Sequence, residues 1–214
     1  MIVVFGSPKG GVGKTTLIGN LTSLLLSRGR SVVVLRADKN EELADFFSRR
    51  EEAGLPVCPL HSAWGDISGE MKRLQKMADV VLVDTAGHDS MEFRSALTAA
   101  DVLLSPVRPS SQVEVDNMNK VNEVVRYVQA HENPSLKGYF LFNRCKPKAT
   151  DAIELARSLS ASPDYIPALR TWINQLDVFE SAFNLGAGVH DVSSASSLSK
   201  ARALIELMAE EIGL

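Results

Sequence analysis

The chain has 214 residues, 45% of them hydrophobic and 23% charged, with a net charge of −3. That is enough for the core of one compact domain, while the slight acidity excludes whole-surface attraction to nucleic acid, so any contact with DNA needs a local basic patch. Two cysteines, Cys58 and Cys145, exclude a disulfide framework and lack metal-ligand spacing, and no apolar run reaches transmembrane length.

With no basic leader before the first apolar run, a cytoplasmic protein with buried or half-buried thiols is expected. No internal repeat, low-complexity segment or break in composition divides the chain, so a single domain over 1–214 is expected. Ile2 to Phe5 reads as a strand. It leads into Gly6-Ser7-Pro8-Lys9-Gly10-Gly11-Val12-Gly13-Lys14-Thr15-Thr16, and a helical pattern starts near Thr15. Glycines let backbone fold around an anion, and exposed amides and the helix dipole both favour negative charge. Lys14 is placed to meet β- and γ-phosphates and the Thr15 hydroxyl to ligate Mg²⁺. The general P-loop pattern asks for glycine where Pro8 stands, and a second lysine, Lys9, comes early in the loop.

The first helix is expected over about Lys14 to Arg28, with Leu17, Leu21, Leu24 and Leu25 as its stripe and Gly29 ending it. Val32 to Leu35, apolar throughout, reads as a strand covered on both faces, which predicts a parallel sheet with right-handed crossovers. Asp38 stands at its carboxyl end, where ligands meet such sheets; a turn or helix-start aspartate is the other reading. A helix is expected over Glu41 to Ala53, with Leu43, Phe46 and Phe47 inward and Arg49, Arg50, Glu51 and Glu52 solvated. A short strand over Val57 to Leu60 and a helix over Gly65 to Met77 follow. His61 has no partner at metal-ligand spacing and reads as a surface or packing residue. Val80-Val81-Leu82-Val83-Asp84-Thr85-Ala86-Gly87 is the Walker B arrangement, its carboxylate placed to hold Mg²⁺ opposite the P-loop hydroxyl. His88 and Asp89 after it either sense phosphate or form a turn.

Asp101 to Ser110 reads as another apolar strand running into a proline-bounded loop, followed by a helix over about Gln112 to His131 with Val113, Met118, Val121, Val125 and Val128 inward. Tyr139 to Phe142 ends at Asn143-Arg144. A helix near Thr150 to Leu159, a last short strand with its loop over Ile166 to Arg170, a flexible connection over Gly186 to Val189 and a final helix over Ser197 to Ile212 complete the chain. That helix buries Ala201, Ile205, Met208 and Ile212 and carries Glu206, Glu210 and Glu211 late. The sum is an α/β fold, a three-layer P-loop NTPase whose mostly parallel sheet is flanked by helices.

The box Lys9-Gly10-Gly11-Val12-Gly13-Lys14-Thr15-Thr16 resembles the deviant Walker A of the ParA/MinD family of partitioning and positioning ATPases. The motifs of that family occur in its order over most of the chain. The family's second box, Asp-Xaa-Asp-Pro-Gln, keeps only its second aspartate here, as Asp38, with Arg36 in place of the first. The resemblance implies that Asp38 orients the attacking water. It implies that Asn143 reads the adenine edge, where a loop cap is the alternative, and that the Pro106–Ser110 segment lies near a dimer face. It also implies that Lys9 reaches across a homodimer to the partner's nucleotide, so that ATP and Mg²⁺ hold two subunits together and hydrolysis releases them.

A dimer doubles any basic patch. The family therefore implies an ATP dimer that binds DNA nonspecifically and associates with the nucleoid, released when a ParB-like adaptor or centromere-binding protein stimulates hydrolysis. Candidate DNA contacts are Lys146, Lys148, Arg157, Arg170, Lys200 and Arg202, though a residue of this kind is individually more often a solubilising surface charge. The acidic last turns without an aromatic residue argue against a MinD-like membrane helix. A metabolic enzyme of the dethiobiotin synthetase type is the other alternative, though such an enzyme has no call for Lys9. Too few cysteines argue against a nitrogenase iron protein. The first strand starts directly after Met1, so a site-specific operator-binding domain is not expected. Plasmid, chromosome and protein assembly all remain open as cargo.

Overall fold

Apolar runs without alternation form the centre of one sheet, because a strand covered on both faces has no solvent side to mark in its sequence. The computed structural model describes residues 1–7, 10–86, 90–109, 112–146 and 150–214. Within them the strands are β1 (Ile2–Phe5), β2 (Val32–Ala37), β3 (Leu60–Ser62), β4 (Val80–Thr85), β5 (Val102–Val107) and β6 (Lys137–Phe142). They pair in the order β3-β2-β4-β1-β5-β6, every pair parallel. The helices are α1 (Lys14–Ser27), α2 (Glu42–Glu52), α3 (Ser68–Gln75), α4 (Met91–Ala99), α5 (Gln112–His131), α6 (Thr150–Ala161), α7 (Asp177–Asn184) and α8 (Leu198–Glu211).

The period of two along each strand divides the core. Val3, Phe5, Val34 and Leu82 pack with α1, α2, α7 and α8, while Ile2, Val4, Val33 and Val81 pack with α3, α4, α5 and α6. Two helical layers therefore enclose the sheet, as expected. Helix α1 ends at the left-handed Gly29, φ 69°, and Met118, Val121, Val125 and Val128 line the buried side of α5.

Several boundaries move for local reasons. The third strand lies at Leu60–Ser62 rather than Val57 to Leu60. Helix α3 begins at Ser68 because Gly65 has φ 77° and the Asp66 carboxylate accepts from the Ser68 amide at 3.0 Å. The expected strand at Ile166 to Arg170 shrinks to one bridge, Phe140 with Ala168. Helices α4 and α7 carry no clear signal beforehand; α4 starts at Ser90, whose hydroxyl accepts from the Phe93 amide at 3.1 Å. The Gly186–Val189 connection is packed, not loose. A Cβ on Gly186 would lie 2.3 Å from the Arg50 nitrogen, and one on Gly188 2.5 Å from Ser23 Cβ.

Arg50 is the largest departure. Instead of a solvated charge it is fully buried. Its guanidinium donates to Asp191 at 2.6 and 3.1 Å, to the Pro56 carbonyl at 2.6 Å and to the Gly186 carbonyl at 3.2 Å. Burial works to raise the Asp191 carboxyl, but bonds from Arg50 and the Gly188 amide outweigh it and leave its pKa lowered. This knot ties α2 to the segment before α8. Asp191→Ala strands a buried guanidinium, so it is expected to lower the unfolding free energy by about 3–5 kcal/mol. Urea denaturation measures this; a loss below about 1 kcal/mol would place the pair in solvent-exposed territory.

Candidate functional site

A parallel sheet brings every strand's carboxyl end to one edge, and β1 and β4 are neighbours, so their loops face each other there. Phe5 pairs in register with Asp84, and Thr85 Oγ1 donates to the Phe5 carbonyl at 3.0 Å. The loop after β1 turns through two left-handed glycines, Gly11 at φ 73° and Gly13 at φ 92°, directly into α1. A cavity of about 400 Å³ opens against this loop, lined by Gly10, Gly11, Gly13, Lys14, Thr15 and Thr16. Asp38, Asn40, Glu42, Ala86 and Arg144 close its other sides. Lys14, the first residue of α1, is buried, so its ammonium works in a poorly screened place.

Asp84 is buried, and among the described residues its Oδ1 has no hydrogen-bond partner. Burial pushes its pKa up to about 7 from an ordinary 3.8; the Lys14 charge opposes the rise, and Asp38 and Glu42 add to it. A buried carboxylate oxygen without a partner, under the charge of a lysine, suits a hard cation that keeps most of its shell as water and phosphate oxygens. Asp84 and Thr15 are the residues that fit Mg²⁺ here.

A second cavity of about 580 Å³ adjoins the first and shares Gly13, Thr16, Asn40, Glu42 and Arg144 with it. Its far wall is the Ile173–Leu176 stretch, and its volume lies in the range of small-molecule sites. Phosphates on the loop would thus have a nucleoside-sized space beside them. Asn143 and Arg144, just past β6, stand at the junction. The Asn143 amide donates to the Val12 carbonyl at 2.7 Å, and an Arg144 guanidinium nitrogen donates to the Gly11 carbonyl at 3.1 Å. Asp38 borders the phosphate cavity and accepts from the Asn40 amide at 3.1 Å, while Arg36 pairs with Glu41.

The loop residues Gly10, Gly11, Val12, Gly13, Lys14, Thr15 and Thr16 are thus brought together with Asp38, Asp84 and Asn143. Lys9, Lys148, His88, Asp89 and Ser110 lie outside the described residues. The other candidate DNA contacts do not all remain free. Arg202 donates to the Val189 carbonyl at 2.9 Å and to that of Val192, and Arg170 lies 3.6 Å from Glu211. Lys146 and Lys200 are exposed. Sequence reasoning missed Arg144, Asn40 and the Ile173–Leu176 wall. An arginine after a strand-ending asparagine is a faint cue for the first, and none marks the others. Half-buried Cys58 and buried Cys145, pushed up by burial to about 12 and about 11, are ordinary unreactive thiols.

Residues 3–163 match the family described as the CobQ/CobB/MinD/ParA nucleotide binding domain. The maintenance of carboxysome distribution protein A of Halothiobacillus neapolitanus is 28% identical over 190 residues, covering 87% of this chain and 85% of that protein. Protein ParA of Rhizobium radiobacter is 30% identical over 110 residues, 51% of this chain and 50% of its own. Among solved structures, a Cyanothece McdA variant with an aspartate changed to alanine, in complex with ATP, superposes with a TM-score of 0.74 at 18% identity, covering 100% of this chain and 96% of that one.

The raised Asp84 pKa gives a signed expectation. The folded state favours the neutral form, so the stabilising contribution of Asp84 is present below its ordinary pKa of 3.8 and is lost as pH rises through about 7. The stability advantage of Asp84→Asn over the parent, both without Mg²⁺, should therefore widen from mildly acidic pH up to about 7 and then level off. Thermal unfolding across that range checks it; a constant difference would mean that the carboxylate is ionised throughout.

Proposed function

Because the chain belongs to the CobQ/CobB/MinD/ParA nucleotide-binding family, we propose that it is an ATPase of the ParA type that pairs on ATP and positions a cargo. The observation that supports this most is a buried Lys14 lining the loop cavity, its charge acting on the buried Asp84 carboxylate, whose Oδ1 has no partner among the described residues. Held there, Mg²⁺ would supply positive charge against the negative charge that develops in phosphoryl transfer. Lys14 and the amides of the Gly10–Thr16 loop hold the triphosphate, and Thr15 and Asp84 orient the metal. Asp38 positions the attacking water from the cavity rim. Asn143, whose Nδ2 donates to the Val12 carbonyl and whose Oδ1 accepts from the Arg144 amide, has a second amide N–H and a second carbonyl lone pair to offer an adenine edge.

Lys9 is the residue that separates a pairing switch from a solitary enzyme. We assign it to the partner's nucleotide, where a cation supplied in trans raises phosphoryl transfer by about 10³–10⁵. The dimer then holds nonspecific DNA through phosphate contacts, with Lys146, Lys148, Arg157 and Lys200 as the leading candidates and Arg170 and Arg202 partly engaged within the fold. A ParB-like adaptor speeds hydrolysis and so releases it. For cargo, a protein assembly stands ahead of a plasmid, since the carboxysome-distribution relative matches over 87% of the chain and the ParA relative over 51%. The apolar face of α8, with Ala201, Ile205 and Met208, is packed into the core, which disfavours use of that helix as a membrane anchor. No helix among the described residues is long and apolar enough to cross a membrane.

The proposal is tested with the two lysines. Lys14→Ala should lose ATP binding. Lys9→Ala should keep monomer binding of ATP while losing turnover and ATP-dependent pairing, read by light scattering and phosphate release. Unchanged turnover in Lys9→Ala would remove the trans role. Binding to arbitrary duplex DNA should appear with ATP, vanish with ADP and weaken steeply with salt; equal binding with both nucleotides would overturn the DNA switch.

A further inference from the structure

The end of β6 reaches the nucleotide loop through its backbone rather than through the cavity. Asn143 Nδ2 donates to the Val12 carbonyl at 2.7 Å, and Arg144 Nη1 donates to the neighbouring Gly11 carbonyl at 3.1 Å. Two consecutive loop carbonyls are thus tied to two consecutive residues of one strand end. The Asn143 side chain is 4% exposed, and Gly13 is glycine partly on its account: a Cβ there would lie 2.6 Å from Asn143 Nδ2.

That strand end is itself over-determined. Arg144 has φ 55°, one of two positive values at non-glycine residues among those described. Its amide donates to Asn143 Oδ1 at 2.9 Å. On one side the Asn143 amide is fixed to the Val107 carbonyl at 2.8 Å, and on the other the Cys145 amide is fixed to the Ile173 carbonyl at 3.0 Å. A left-handed arginine held between two anchored neighbours is strain retained for a reason.

A trans peptide sets its carbonyl and the following N–H in opposite directions. Holding the Gly11 and Val12 carbonyls therefore turns the Val12 and Gly13 amides away from the strand end. Successive amides turned one way make an anion nest. We propose that Asn143 and Arg144 are positioning residues that pre-set this nest, so that they act on phosphate affinity through the loop, in addition to any contact with the base. The inference rests on the reading of the loop as the triphosphate site.

Inorganic tripolyphosphate, which has no base, tests it. Arg144→Gly keeps the left-handed backbone accessible and removes the guanidinium; Asn143→Ala removes the other tie. Calorimetry with ATP, GTP and tripolyphosphate, each with Mg²⁺, should show all three weakened by a similar factor in Arg144→Gly, and tripolyphosphate weakened along with the nucleotides in Asn143→Ala, where ATP loses its base contact as well; one lost hydrogen bond of this kind corresponds to about tenfold. KM for ATP should rise with little change in kcat, and the melting temperature of Arg144→Gly should stay near the parent's. A loss confined to ATP would make Asn143 a base reader alone and overturn the brace, as would unchanged affinity in both variants. Should the parent bind ATP but no tripolyphosphate, the brace falls while the nucleotide reading stands; should it bind neither, the phosphate-loop reading falls first.

Discussion

The pairing of Phe5 with Asp84 between adjacent parallel strands is the constraint on which the site depends. It brings the last residue of β1, where the glycine loop begins, level with the carboxylate that ends β4. Neither residue can slip, because a shift of one position would turn every side chain of β1 to the opposite core. Phe5 would leave the side of α1 and α2, and Val4 would leave that of α4. The apolar cores on both faces thus hold the register of a polar site that neither of them contains.

From that register the electrostatics follow. Asp84 is driven toward neutrality by burial and back toward ionisation by Lys14. Its unpartnered Oδ1 is unfavourable in isolation. Such a group is retained in a fold when something that binds there repays it, and a hydrated divalent ion with phosphate oxygens is the chemistry that matches. The residues after β4 are coupled to the loop by packing as well. A Cβ on Gly6 would lie 2.3 Å from the Phe93 ring, so α4 sits directly against the first turn of the loop. The β3–α3 connection is joined to the same helix, since the Gly65 amide donates to Glu92 at 2.9 Å and that of Ile67 to Ser95 at 3.1 Å. A change in phosphate occupancy next to β4 therefore meets α4 and the loop carrying the exposed Trp64 as one connected piece.

How much of this was legible follows from the range of the forces. The glycine loop, the Val80–Thr85 strand with its terminal aspartate and the long stripe of α5 are local patterns, and each was readable. Arg50 was not. Its partners Gly186 and Asp191 lie 136 and 141 residues away, and within its own segment it looks like one charge in a wet run. Gly186 to Val189 suffered the same way: glycines signal freedom locally, but here they permit close approach to α1 and α2. Helix α7 is short and its buried Val178, Phe179 and Phe183 answer to Phe46 across the fold, with Phe46 and Phe183 stacked at 4.7 Å. Asn143 was legible as a site residue, while its hold on Val12 required the folded loop.

The region past residue 163, beyond the family match, supplies part of the wall of the cavity beside the loop. Phosphate recognition is set by β1, α1 and β4, which any P-loop protein must supply. The wall of the adjoining cavity is different. Ile173 to Leu176 form it, and they are held by the Cys145 backbone, which donates to the Ile173 carbonyl at 3.0 Å and accepts from the Gln175 amide at 2.9 Å. The same region grips α1 from behind, where Asn20 accepts from the Val189 amide at 2.9 Å while donating to the Thr16 carbonyl at 2.8 Å. One end of α1 thus carries Lys14 at the loop cavity, and its flank is fixed by the segment that lines the adjoining one. The segment that lines the adjoining cavity and the loop that lines the first are therefore both anchored on a single helix.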